Sequence, residues 1–211
     1  MEATLPPAAP FTVSRPVLYA IFFLSGVSAL IYQLVWQRAL LTIFGSNVES
    51  AAIVVSSFMV GLGIGSLVGG WVSENARIPL LLAFSVAEFA IGACGMVSLD
   101  VFHAAGRAVS GGSIWQTGFV CFALLLVPTL FMGSTLPLLV THHVRSMKNV
   151  GRSVSWLYFV NTLGAAAGCV VAALVCLTFF GMKQTVLIAA ALNGLAALLM
   201  LLNWMKERRA A

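Results

Sequence analysis

Glu88 is the residue in this sequence whose chemistry is hardest to account for by packing. It stands near the middle of a run from about Pro79 to Leu99 that is otherwise apolar or small. If that run crosses a bilayer, a carboxylate there costs about 2.5 kcal/mol or more to insert. Such a group must be protonated, paired or turned toward a wet cavity. Two readings follow: a proton- or cation-binding group, or a hydrogen bond to a neighbouring helix. Tyr158, Asn161 and Thr162 form a second polar cluster, at helical spacing inside the run Val154 to Phe180. Tyr32, Gln33 and Gln37 project from the end of the first apolar run. If those two helices meet, the two sets line a polar seam. Glu88, Gln33, Tyr32, Tyr158 and Asn161 are therefore the candidate substrate or proton residues, with interhelical hydrogen bonding as the alternative.

Other chemistry finds little support. His142 and His143 are adjacent, so on a helix they point to different faces, and they fall in a basic stretch read as a solvated loop. A membrane enzyme built on them is the weakest reading. Cys94, Cys121, Cys169 and Cys176 lie inside apolar runs and lack the close pairing of a zinc or haem motif. Gly61-Leu-Gly63-Ile-Gly65 has no preceding strand and no Lys-Ser/Thr, so it is not a phosphate-cradling loop. Paired catalytic carboxylates, a nucleophilic triad and a dinucleotide fingerprint are not evident. No catalytic residue, metal or cofactor is expected.

These residues sit in a chain of 211 residues, 61% hydrophobic and 8% charged. Soluble domains carry about 25% charged residues, so this composition predicts an integral membrane protein with the lipid bilayer as its first partner. The net charge of +5 comes from Lys and Arg set singly between apolar runs or at their ends. No basic stripe with interleaved aromatics exists, so nucleic acid is not a partner. Met1 to Ser14 is rich in Pro and Ala without a basic start, unlike a cleaved signal peptide.

Six runs approach or exceed the ~20 residues that cross the hydrocarbon core. They are about Val17 to Trp36, Ala51 to Val72, Pro79 to Leu99, Ile114 to Val140, Val154 to Phe180 and Thr185 to Trp204. Between them lie a turn at Gly45-Ser46-Asn47, a polar loop at Ser73 to Arg77, a loop from Asp100 to Gly112, the basic loop from His142 to Arg152, and a turn at Gly181 to Lys183. Pro128, Gly133 and Pro137 interrupt the fourth run. Trp36, Trp71, Trp115 and Trp204 are placed near span ends as interfacial aromatics.

An even number of spans puts both termini on one side. Arg15, Arg77, Arg145, Lys148, Arg152, Lys206, Arg208 and Arg209 fall there, against Arg38, Arg107 and Lys183 on the other. The positive-inside bias places both termini in the cytoplasm, in a multi-pass protein of the cell membrane, read as a bacterial inner membrane. The expected organisation is a tail over 1–15, a six-helix transmembrane domain over 16–205 and a basic tail over 206–211. Gly61, Gly65 and Gly69, and Gly164 and Gly168, recur at four-residue spacing. Such stripes let helix backbones approach closely, within the bundle or between subunits.

Several separated motifs stand out in order. They are Ser25-Gly-x-x-Ala29-Leu30-Ile-Tyr32-Gln33-x-x-Trp36-Gln37-Arg38 with Phe44-Gly45-Ser46, and Met59-x-Gly61-Leu-x-Ile-Gly65-Ser66-x-x-Gly69-Gly70. Met132-Gly133-x-Thr135-Leu136-Pro137-Leu138 follows, then Gly151-x-x-x-x-Trp156-Leu-Tyr158-x-x-Asn161-Thr162-x-Gly164. Together they resemble the membrane region of membrane-bound spermidine synthase-like proteins. The resemblance covers about Phe22 to Leu201. It implies a membrane half similar to half of a major facilitator, which in that family is fused to an aminopropyltransferase. Glu74 stands where the family often shows Asp. The sequence runs to Ala211, soon after the sixth span, so the expectation is a membrane half without the synthase domain, and no aminopropyltransferase aspartate is carried over onto it.

The fold expected is thus all-α: a polytopic membrane protein of about six transmembrane helices. The first functional reading is a non-enzymatic membrane subunit that anchors or organises a homo-oligomer or another membrane or membrane-associated protein. A separately encoded synthase is one such partner. The second is transport of a small solute, with polyamines suggested by the resemblance and Glu88 as cation or proton site.

Overall fold

A computed structural model of the protein describes residues 13–44, 48–109, 111–147 and 149–210. Six long helices account for nearly all of them: α1 (Arg15–Phe44), α2 (Val48–Glu74), α3 (Leu80–Ala108), α4 (Ile114–Met147), α5 (Val150–Phe179) and α6 (Gly181–Ala210). Each contains a stretch long and apolar enough to cross a membrane. The chain is an all-α polytopic membrane protein. Helix is the form that such segments take in lipid, because every backbone N–H and C=O is then satisfied within the segment.

The helices outrun the lengths expected from hydropathy. α1 continues through Arg38 to Phe44, α3 through the predicted loop to Ala108, and α4 through the predicted basic loop to Met147. Polar residues ended the apolar runs but did not end the helices, because a helix leaving the hydrocarbon core keeps its internal hydrogen bonds in water. Pro128 and Pro137 lie within α4 and do not break it. α5 widens into a π-helical turn at Ala172–Cys176. Gly181, at φ 74°, makes the reversal into α6, a left-handed conformation that glycine adopts without penalty. The turn expected at Gly45-Ser46-Asn47 and the cation Lys148 lie outside the described residues.

Contact registers give the helix directions. Ser25 meets Glu88, Trp36 meets Ser98 and Ile43 meets Gly106, so α1 and α3 run parallel. Phe23 and Val27 of α1 face Gly164 and Gly168 of α5 in the same sense. α2 and α4 are parallel too, through Gly61 with Thr129, Gly65 with Leu130 and Gly69 with Ser134. α3 and α6 are antiparallel, since Ser85 reaches Ala197 while Glu88 reaches Asn193.

Two glycine seams set the closest approaches. A methyl group at Gly65 or Gly133 would overlap the backbone carbonyl of Leu130 or Leu62 respectively, across α2 and α4. One at Gly164, Gly168 or Gly26 would overlap the carbonyl of Phe23, Val27 or Asn161, across α1 and α5. The core is built from α1, α3, α4 and α6, whose most apolar windows are 44–50% buried. α2 and α5 pack on its flanks, 28% and 22% buried. Trp36, expected as an interfacial aromatic, does not face lipid: it is fully buried inside the bundle, stacked on Tyr32 at 4.8 Å and edge-on to Phe102.

Candidate functional site

One face of α3 carries Ser85, Glu88, Gly92, Gly95 and Ser98, all buried. Their spacing of three and four residues keeps them on one side of the helix. Small residues on this face let α1 and α6 come close. At Gly92 an added methyl would lie 3.3 Å from the Ala190 carbonyl oxygen and 3.4 Å from Asn193 Cβ.

Glu88 occupies the centre of this face and is fully buried. Ser25 Oγ of α1 donates to its Oε1 at 2.5 Å, and Asn193 Nδ2 of α6 donates to its Oε2 at 2.5 Å. Both carboxylate oxygens are thus held by side chains from two other helices. Around them, Ser28 donates to the Ser25 carbonyl at 2.9 Å and Ser85 to the Ala197 carbonyl at 2.7 Å. The result is a three-helix polar clamp in an apolar bundle. Hydrogen bonds of this kind between membrane helices contribute about 0.6–2 kcal/mol each.

Two turns further along α3, the fully buried Tyr32 lays its ring against Gly95. Trp36 Nε1 donates to Ser98 Oγ at 2.9 Å, and Ser98 donates in turn to the Gly95 carbonyl at 2.7 Å. Among the described residues, Tyr32 Oη and Asn193 Oδ1 are buried without a hydrogen-bond partner.

The five polar residues singled out from the sequence do not converge. Glu88 and Tyr32 share the seam between α1 and α3. Gln33 is half-buried on another side of α1, in a crevice it shares with Gln37, Val54, Phe58 and Leu125. Asn161 is half-buried in the α1–α5 seam against Gly26. Tyr158 faces outward, 59% exposed. The polar seam expected between the end of α1 and the start of α5 does not form, because the parallel helices touch at Phe23–Val27, well before Gln33.

The histidines also differ from expectation. Both lie in α4, not in a loop. His143 is buried, with its Nε2 3.3 Å from Tyr19 Oη, and His142 Nε2 lies 4.0 Å from Glu207 Oε1 of α6. Sequence reasoning missed Ser25 and Asn193 as partners of Glu88. Asn193 had a readable cue, since it is a lone amide inside an apolar run and needs a partner as Glu88 does. Ser25 had none, because serines are common in such helices.

Comparison with known proteins gives distant matches. Polyamine aminopropyltransferase 1 of Streptomyces coelicolor is 24% identical over 188 residues, 88% of this chain and 34% of that protein. The polyamine aminopropyltransferase of Oceanobacillus iheyensis is 23% identical over 192 residues, 90% of this chain and 36% of its own length. Polyamine aminopropyltransferase 2 of Streptomyces coelicolor is 24% identical over 195 residues, with 90% and 34% covered. The chain spans about a third of the length of the curated relatives it matches. No protein-family model matches the chain, and no solved structure matches it significantly.

Proposed function

We propose that the chain is a non-enzymatic membrane module that anchors or organises a partner, either a second copy of itself or a membrane-associated protein. The observation that carries this reading is the double hydrogen bond at Glu88. The residue most suggestive of transport spends both its oxygens on joining α1, α3 and α6. A bundle tied in this way is a rigid platform. The glycine seams, already filled by neighbouring helices of the same chain, add to that rigidity.

The outer face of α5 is the natural seat for a partner. α5 is the span least covered by its own chain, and its exposed surface carries the hydroxyl-bearing residues Tyr158 and Thr162 beside Phe159 and Leu163. Apolar exposure alone drives no association in lipid, whereas side chains that can hydrogen-bond across helices do. The relatives' names suggest the partner's chemistry: an aminopropyltransferase held at the membrane. An arrangement like half of a major facilitator, completed by a second six-helix unit, fits the same reading. Purification from native membranes in mild detergent tests it. A stoichiometric partner or dimer is expected, and a monodisperse monomer at native expression argues against it.

Transport of a small cationic solute such as a polyamine is the second reading, and one observation favours it. Tyr32 Oη and Asn193 Oδ1 are buried in the region of Glu88 and have no hydrogen-bond partner among the described residues. Those acceptors, with the carboxylate, suit an ammonium group or a proton relay. Reconstituted vesicles loaded with labelled spermidine decide it. Flux that is lost in Glu88→Gln supports this reading, and no flux in the wild type removes it.

A further inference from the structure

At the end of the bundle where α1, α3 and α5 begin, an open cavity of about 290 Å³ lies between the α2–α3 connection, the first turn of α3 and the last turns of α4 and α6. Arg77, Arg145, His142 and Glu207 line it, with Trp204 and Leu81 as apolar wall. Arg145 Nη2 donates to the Ser73 carbonyl at 3.1 Å. That bond closes the C-terminal end of α2 and fixes the guanidinium at the cavity, while using one of its five donors. Arg77 is exposed beside it. α3 starts here at Leu80 with no side-chain cap and no acid in its first turn, so the positive end of its dipole adds to the field. Among the lining residues Glu207 is the opposing charge, and it lies 4.0 Å from His142; the exposed Glu74 ends α2 nearby. The same end of the bundle also carries Arg15, Arg152, Arg208 and Arg209.

We propose that this cavity binds a phosphate group, supplied by an acidic phospholipid headgroup. Two guanidiniums and a helix N-terminus form an anion site suited to phosphate. The cavity lies at span ends, where a Trp marks headgroup depth, and Leu81 offers apolar contact to the first part of an acyl chain. A soluble phosphate shares the chemistry, so the test separates the two sources. This inference is independent of the anchoring reading and can fail without it.

Native mass spectrometry of the intact protein, titrated with phosphatidylglycerol or phosphatidylcholine, reads the site directly. Phosphatidylglycerol is expected to be retained preferentially. Arg77→Gln and Arg145→Gln should each weaken it about fivefold, as expected for one basic residue near a lipid surface, and leave phosphatidylcholine unchanged. Glu207→Gln should strengthen it. Arg152→Gln, at the same end but outside the cavity, should do little. Arg77→Gln carries the test alone if Arg145→Gln fails to fold, because Arg145 also holds α2. Binding of inorganic phosphate without lipid preference would keep the phosphate chemistry but overturn the lipid source. Equal retention of both lipids with no phosphate binding overturns the proposal, as does an equal loss in Arg77→Gln and Arg152→Gln.

Discussion

Asn193 Nδ2 lies 2.5 Å from Glu88 Oε2, so the sixth span donates directly to a carboxylate buried in the third. Ser25 holds the other oxygen from the first span. Three helices far apart in sequence are thereby fixed at one height in the bundle.

This geometry makes Glu88→Ala more damaging than Glu88→Gln. Alanine leaves the Ser25 hydroxyl and the Asn193 amide buried and unpaired, a loss of about 2–3 kcal/mol. Glutamine keeps polar partners for both and should lose less. A double-mutant cycle between Glu88→Ala and Asn193→Ala, read by unfolding in mixed detergent micelles, should give a coupling of about 0.6–2 kcal/mol. Strict additivity would show that the contact does not hold the helices together.

The glycine seams separate by position. Gly65→Ala and Gly168→Ala drive a methyl group into a facing backbone carbonyl and should destabilise by about 1–3 kcal/mol. A methyl group added at Gly63 would meet no other part of the described residues within 4 Å, so Gly63→Ala should be neutral, or stabilising by up to about 1 kcal/mol through helix propensity. Equal effects at all three positions in the same unfolding assay would contradict the seam.

Tyr32→Phe distinguishes the two functional readings. The hydroxyl is buried without a partner among the described residues, so in a purely structural bundle its removal should be neutral or stabilising. If the hydroxyl serves a solute, spermidine flux in vesicles falls while stability does not.

Sidedness is testable at the helix ends. Lys183→Cys and Arg209→Cys report opposite ends of α6. With cytoplasmic termini, a membrane-impermeant maleimide labels Lys183→Cys in intact cells and Arg209→Cys only after lysis. The reverse pattern overturns the orientation drawn from the positive-inside bias.

Much of the fold was legible because lipid imposes a coarse rule on sequence: about 20 apolar residues in a row form a spanning helix. The six spans followed from it. Their ends did not, because the rule reports where hydrocarbon stops and not where helical hydrogen bonding stops. Trp36 shows the consequence. Read as the last residue of a span, it looked interfacial, yet one face of the extended α1 buries it against Tyr32, Phe102 and Ser98. Glu88 was legible as a residue that must be satisfied, since its insertion cost is independent of neighbours. Its partners were not, because nothing local ties residue 88 to residues 25 and 193. Tyr158 and Asn161 share a helix but look different ways, one outward and one into the α1 seam. Helical spacing alone could not assign those faces.

Photo-crosslinking from α5 tests the central claim most directly. A photoreactive amino acid at position 158 or 162, on the outward face, would be activated in native membranes at native expression. Position 89, on the outward face of α3, where Phe89 is 67% exposed, serves as the control. The anchoring account predicts a discrete protein adduct from 158 and 162, either a second copy of this chain or a membrane-associated partner, and lipid adducts from 89. Lipid adducts alone at all three positions would contradict it.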